Sequence, residues 1–146
     1  MAVASSSVDN VSVETAWQQL AADSASVLID VRTRAEWSFV GVPDLSSLGK
    51  ELLLVEWVSF PGNQPNAAFV AELQARLAAT GASKEAPLYF ICRSGARSQS
   101  AAEAMLKAGY TRCCNVVEGF EGPLDDARHR GQRSGWKAQG LPWVQS

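Results

Sequence analysis

The sequence predicts an α/β fold with a buried parallel sheet, and three observations carry that expectation. Short β-branched or leucine-rich runs alternate along the chain with longer stretches of helical spacing. The runs are apolar almost throughout, as strands covered on both faces must be. The chain has 146 residues, 47% of them apolar, which suits one domain with one sizeable core. Residues 1–146 are therefore expected to form a single domain, with a frayed, small and polar N-terminus over 1–9.

Taken in order, a weak strand is expected near Val11, then a helix over 13–22 with Ser12 as N-cap and Trp17 and Leu20 on one side. Strands follow at 27–31 and 52–55. A helix over 66–79 carries the stripe Phe69, Val70, Leu73 and Leu77, and Gly81 ends it. The strand at 88–91 leads into a helix over 96–108, where Ala101, Ala104, Met105 and Ala108 face the sheet and Gly109 supplies the stop. The last strand is expected at 115–117. Beyond Glu118 the chain turns rich in Gly, Arg and Asp, so 123–135 reads as a surface insertion. Trp37, Trp57 and Phe60 are core candidates, and Trp57 or Phe60 could also line the mouth of a site.

Charged residues make up 19% of the chain, with mixed signs and a formal charge of -2. That gives no electrostatic reason to expect nucleic acid or an anionic membrane as partner. The longest apolar stretches are too short to span a bilayer, and residues 1–11 lack the basic and apolar regions of a secretory signal. A soluble, cytoplasmic protein is the expectation. Three cysteines at irregular spacing suit reduced thiols better than a disulfide framework.

Chemistry concentrates in one segment. The strand Leu88-Tyr89-Phe90-Ile91 ends in Cys92, and Arg93-Ser94-Gly95-Ala96-Arg97-Ser98 opens into a helix. A thiol is thereby placed at the carboxyl end of a parallel strand, where ligands bind in open α/β sheets. Gly95 permits a sharp turn, after which backbone amides at the helix N-terminus make an anion cradle. Free cysteine, with a pKa of about 8.5, is mostly protonated at neutral pH. The cradle, the helix dipole, Arg93 and Arg97 should all favour the thiolate. Cys92 is thus the candidate nucleophile, and the same cradle suits a persulfide or an incoming oxyanion.

The loop Cys-Arg-x-Gly-x-Arg from Cys92 to Arg97 resembles the active-site loop of rhodaneses. Asp30-Val31-Arg32 with Glu36-Trp37 resembles that family's Asp-x-Arg and Glu-aromatic segment, and the stretch from Asn115 to Phe120 resembles its last strand and Gly-aromatic turn. The resemblance implies a three-layer α/β/α rhodanese-like fold, with a five-stranded, mainly parallel sheet and helices on both faces. It implies sulfur transfer from a small donor such as thiosulfate to cyanide or a thiol, with an acceptor protein as a further partner and no metal or organic cofactor. Cys92 would be catalytic. Arg93, Ser94, Gly95, Ala96, Arg97 and Ser98 would form the anion-binding loop, and Asp30 and Arg32 would brace it.

Two alternatives stand beside this expectation. Related Cys-based phosphatases and arsenate reductases resemble Cys-x5-Arg, one residue longer than the spacing between Cys92 and Arg97. A sulfur-relay or docking module with little activity on small donors is the other. Val40-Gly41-Val42-Pro43 lacks the histidine common at that place in the family. The only histidine, His129, stands in the insertion without the companions that a zinc site needs. Cys113 and Cys114 are adjacent on a strand and so should point to opposite faces, one of them a conceivable resolving thiol.

Overall fold

The computed structural model describes residues 7–59, 64–122, 126–127 and 134–145. The apolar runs become one sheet of five strands: β1 (Asp9–Val11), β2 (Val27–Asp30), β3 (Leu53–Leu54), β4 (Leu88–Ile91) and β5 (Cys113–Val116). Their order is β1-β5-β4-β2-β3, and every neighbouring pair is parallel. The central strand β4 is buried at all four positions, which accounts for its unbroken apolar sequence. Asp9, the last residue of the expected frayed segment, pairs with Cys114. Residues 1–6 lie outside the described residues.

Four helices flank the sheet: α1 (Val13–Ala22), α2 (Arg34–Val40), α3 (Phe69–Ala79) and α4 (Ala96–Lys107). Ser12 caps α1, its hydroxyl accepting from the Thr15 amide at 3.1 Å. Val13, Ala16 and Leu20 of α1 pack with Leu28, Tyr89 and Ile91 on one face of the sheet. Phe69, Leu73 and Leu77 of α3, with Ala101, Ala102 and Met105 of α4, pack with Ile29, Leu88 and Phe90 on the other. The alternation of neighbours such as Leu28 and Ile29 between two cores is the period of a strand. The result is the expected three-layer α/β/α arrangement.

β2 stops at Asp30, β3 covers only Leu53–Leu54 and α4 stops at Lys107, each short of the sequence expectation, and three differences are larger. α3 begins at Phe69 because the Asn66 side chain takes the Ala68 amide at 3.1 Å and holds a turn ahead of the helix. β5 begins at Cys113, which pairs with Leu88, and Val117 has left the strand. α2 was not expected. Its start is a capping box, in which the Thr33 hydroxyl accepts from the Glu36 amide while the Glu36 carboxylate accepts from the Thr33 amide.

Two short antiparallel ribbons, Val42–Pro43 with Trp143–Val144 and Val58–Ser59 with Gln64–Pro65, and a 3-10 helix at Ser46–Leu48 lie outside the main sheet. Trp136 is fully buried and meets Trp17 edge-on, with ring centroids 5.8 Å apart. Trp57 meets Phe69 in the same way at 5.0 Å and is half-buried, as is Trp37. Phe60, His129 and most of the expected insertion lie outside the described residues. Among the described residues, no helix is long and apolar enough to cross a membrane.

Candidate active site

Cys92 follows β4 directly, so its sulfur lies at the carboxyl end of the sheet, only 1% exposed. The chain then turns through Gly95, whose φ of 107° belongs to the region glycine tolerates. Any other residue would put its Cβ 2.3 Å from the Val117 carbonyl oxygen. That turn delivers the Gly95 amide to the Cys92 Sγ at 3.1 Å. The Ser98 hydroxyl, from the first turn of α4, lies 3.2 Å from the same sulfur.

The loop is tied down from outside by the turn after β5. The Phe120 amide donates to the Cys92 carbonyl at 2.8 Å, and the Glu121 and Gly122 amides donate to the Arg93 carbonyl at 3.0 and 3.1 Å. Gly119 makes this approach possible, since a Cβ there would lie 2.4 Å from the Arg93 carbonyl oxygen. With those carbonyls drawn outward, the loop can present an amide inward to the sulfur.

Two ion pairs flank the cysteine. Asp30 and Arg32 are both fully buried, joined by bonds of 2.9, 3.1 and 2.7 Å, and Arg32 also donates to the Gly41 carbonyl at 2.7 Å. The Arg32 guanidinium stacks on Phe120, 4.3 Å from the ring centroid. This places the Asp30–Arg32 pair beneath the turn that holds the Cys92 carbonyl. The second pair is Glu36 of α2 with Arg97 of α4, a fork of 2.6 and 2.9 Å. Burial alone would push the Glu36 carboxyl up, yet the bonds from Arg97 and Thr33, with the Arg97 charge, hold it at about 2. Arg97 is in turn raised, chiefly by its bond to Glu36.

The residues singled out in the sequence fall as follows. Cys92, Gly95 and Ser98 converge on one atom, Arg97 stands beside them on Glu36, and Arg93, Ser94 and Ala96 form the exposed rim of the loop. Glu36 and Asn115 were not expected in the site. Glu36 was detectable from the pattern Thr33-x-x-Glu36, and Asn115 from being a polar residue within an otherwise buried strand. Cys113 and Cys114 do point to opposite cores, and burial pushes their thiols up to about 12 and about 11. Neither is disulfide-bonded.

A cavity of about 560 Å³ lies at the other end of the strands, lined by residues from 24–27, 49–53 and 79–86. Lys50 lines it, donating to the Ser24 and Ser26 carbonyls at 3.2 and 2.7 Å. It does not reach Cys92. The thiol and its hydrogen-bonding loop thus lie apart from this cavity.

Comparison with known proteins finds relatives over most of the chain. A family model described as the STR4 middle domain matches residues 8–146. The crystal structure of Rv0390 from M. tuberculosis is 47% identical, with a TM-score of 0.87 over 97% of this chain and 100% of that one. An uncharacterized protein of Rickettsia rickettsii is 36% identical over 94% of this chain and 98% of its own length. A sulfurtransferase of Allochromatium vinosum is 26% identical over 94% of this chain and 95% of its own. The solution structure of a polysulfide-sulfur transferase homodimer from Wolinella succinogenes shares the fold at 22% identity, with a TM-score of 0.59 over 95% of this chain and 80% of that one.

Proposed function

The chain belongs to the STR4 middle-domain family and has a rhodanese-like fold, and from that premise we propose that it is a sulfurtransferase carrying sulfane sulfur as a persulfide on Cys92. The observation that carries this reading is the convergence of the Gly95 amide and the Ser98 hydroxyl on Cys92 Sγ within a loop closed at Arg97. A donor aimed at sulfur, as the Gly95 amide is, stabilises negative charge there, in the thiolate or in the persulfide that replaces it. The sulfurtransferase name of the Allochromatium vinosum relative supports the same class.

In the proposed cycle the Cys92 thiolate attacks the outer sulfur of a donor such as thiosulfate. A bond forms between Sγ and that sulfur, the donor S–S bond breaks, and sulfite leaves with the electron pair. Cyanide or an acceptor thiolate then attacks the outer persulfide sulfur and returns Cys92 as thiolate. Arg93, exposed on the rim, meets the donor's negative charge, while Arg97 contributes its field from a position fixed by Glu36. Asp30 and Arg32 brace the loop. The residues perform this without a metal or organic cofactor, and cytoplasmic action on small donors or a protein thiol is part of the proposal. Arg97 stands one position nearer the cysteine than in the Cys-x5-Arg loops of phosphatases, a tighter cradle that favours a sulfur atom over a phosphate.

The test is direct. Purified protein is mixed with thiosulfate and its intact mass read, then cyanide is added and thiocyanate measured. Wild type should gain one sulfur atom and turn over, and Cys92→Ser should do neither. If wild type stays unmodified and inactive, the reading is wrong. Loading without transfer to cyanide would mark a sulfur relay, and aryl phosphate hydrolysis dependent on Cys92 would mark a phosphatase.

A further inference from the structure

A chain of buried polar groups leads from Cys92 through Ser98 to Asn115, and the proposed chemistry leaves Asn115 unused. The Ser98 hydroxyl has three neighbours: Cys92 Sγ at 3.2 Å, the Gly95 carbonyl at 3.2 Å and Asn115 Oδ1 at 2.5 Å. Ser98 and Asn115 are 0% and 3% exposed, so water cannot take over any of these bonds without opening the site.

The hydroxyl has one proton to give. Its direction follows from Asn115. The Asn115 nitrogen lies 3.2 Å from the Gly95 carbonyl, which only accepts, and 3.3 Å from Asn10 Oδ1. The amide oxygen of Asn115 therefore faces Ser98 and must receive a proton from it. A separation of 2.5 Å makes that the strongest of the three contacts. With its proton committed to Asn115, Ser98 meets the sulfur with a lone pair. A thiol S–H satisfies that lone pair, whereas a thiolate does not.

We infer that Asn115 is a positioning residue that turns the Ser98 hydroxyl away from sulfur, so that the hydroxyl must swing round before it donates to Cys92 Sγ. Swinging it leaves the buried Asn115 oxygen without its partner, which is the cost of adding that donor to the sulfur. Two ion pairs near the sulfur are already made. Asp30 is paired with Arg32 after β2, and Glu36 of α2 with Arg97 of α4. Arg93 is exposed on the loop, and Glu118 after β5 turns its carboxylate to the Val13 amide. The direction of a single hydroxyl is thus an adjustable element of the site. This inference rests on the proposed function only in taking Cys92 as the reacting group.

The experiment is the rate of Cys92 alkylation by iodoacetamide from pH 6 to 9, with peptide mass locating the adduct. The reaction forms an Sγ–C bond, expels iodide and releases the thiol proton to buffer. Asn115→Leu should leave the hydroxyl only the Gly95 carbonyl and the sulfur as partners and raise the rate at pH 6–7 about fivefold. Ser98→Ala removes the hydroxyl altogether and should abolish the gain that Asn115→Leu produces. Ser98→Ala with Asn115→Leu should behave as Ser98→Ala alone, since Asn115 acts only through that hydroxyl. Asn115→Ala gives the same sign and serves if leucine perturbs folding, which circular dichroism checks. A lowered or unchanged rate in both Asn115 variants, or a gain that persists without Ser98, overturns the inference. Its failure is distinct from that of the sulfurtransferase reading, because alkylation needs no sulfur donor and persulfide loading of wild type does not test Asn115.

Discussion

The two ion pairs beside Cys92 have the same chemistry and different surroundings. Asp30 and Arg32 are both 0% exposed, whereas the Glu36 and Arg97 side chains keep 20% and 24% of their surface. The first pair spans two residues of one strand end and is closed over by Gly41 and Phe120. The second joins α2 to α4, elements that meet only at the rim of the site. Charge in the buried pair is met by the partner, the Gly41 carbonyl and the Phe120 ring, so that pair fixes the floor of the site. Charge in the rim pair is shared with water and remains sensitive to solution conditions.

The largest expected effect tests the buried pair. Arg32→Met leaves the Asp30 carboxylate buried without its cation, which should cost about 3–5 kcal/mol of stability. The drop in Tm should be on the order of 10 °C, and denaturant unfolding supplies the free energy. Arg32→Met with Asp30→Leu removes both charges and should recover more than half of that loss. A single variant within about 1 kcal/mol of wild type would erase the distinction between the two pairs.

A smaller effect tests the rim pair. Glu36→Gln keeps the capping of Thr33, since glutamine serves at that position of a capping box, and removes only the charge. At neutral pH it should cost no more than about 1 kcal/mol. The Glu36 carboxyl, held at about 2 against an ordinary 4.5, stabilises the fold fully above about 4.5 and loses that contribution as pH falls through about 2. Wild type and Glu36→Gln should therefore differ in Tm at pH 7, and the gap should close between pH 4.5 and 2. A gap of constant size across that range would show that the Glu36 charge does not stabilise the folded chain.

Much of this was legible in the sequence because it depends on local pattern. The run from Leu88 to Ile91 is apolar because β4 is covered on both faces, and Ser12 announces α1 by the chemistry of its cap. α2 escaped because its seven residues bury no side chain fully, so the helix leaves no apolar stripe to read. The pairing of Glu36 with Arg97 escaped for another reason. It joins residues sixty-one positions apart, and nothing in either local sequence specifies which cation meets which anion. Asn115 is visible as an oddity in the strand, but its contact with Ser98 appears only once β5 is set beside α4.

The smallest effect on stability concerns the geometry of the rim pair. Arg97 meets both carboxylate oxygens of Glu36, at 2.6 and 2.9 Å, as only a planar guanidinium does. Lysine at this position keeps the charge and surrenders the fork, so Arg97→Lys should alter stability by no more than about 0.5 kcal/mol. Its effect on function should be out of proportion to that figure. Ser98, next in the chain, takes its place at the sulfur from a helix start that the Arg97 fork anchors to α2. A point charge on a flexible stem does not fix that start, and sulfur loading from thiosulfate should slow about tenfold through loss of orientation. Stopped-flow measurement of sulfite release, set against denaturant unfolding of the same variant, separates the two effects. Equal loading rates in Arg97→Lys and wild type would show that the rim pair supplies charge alone and that α2 has no part in aligning the loop.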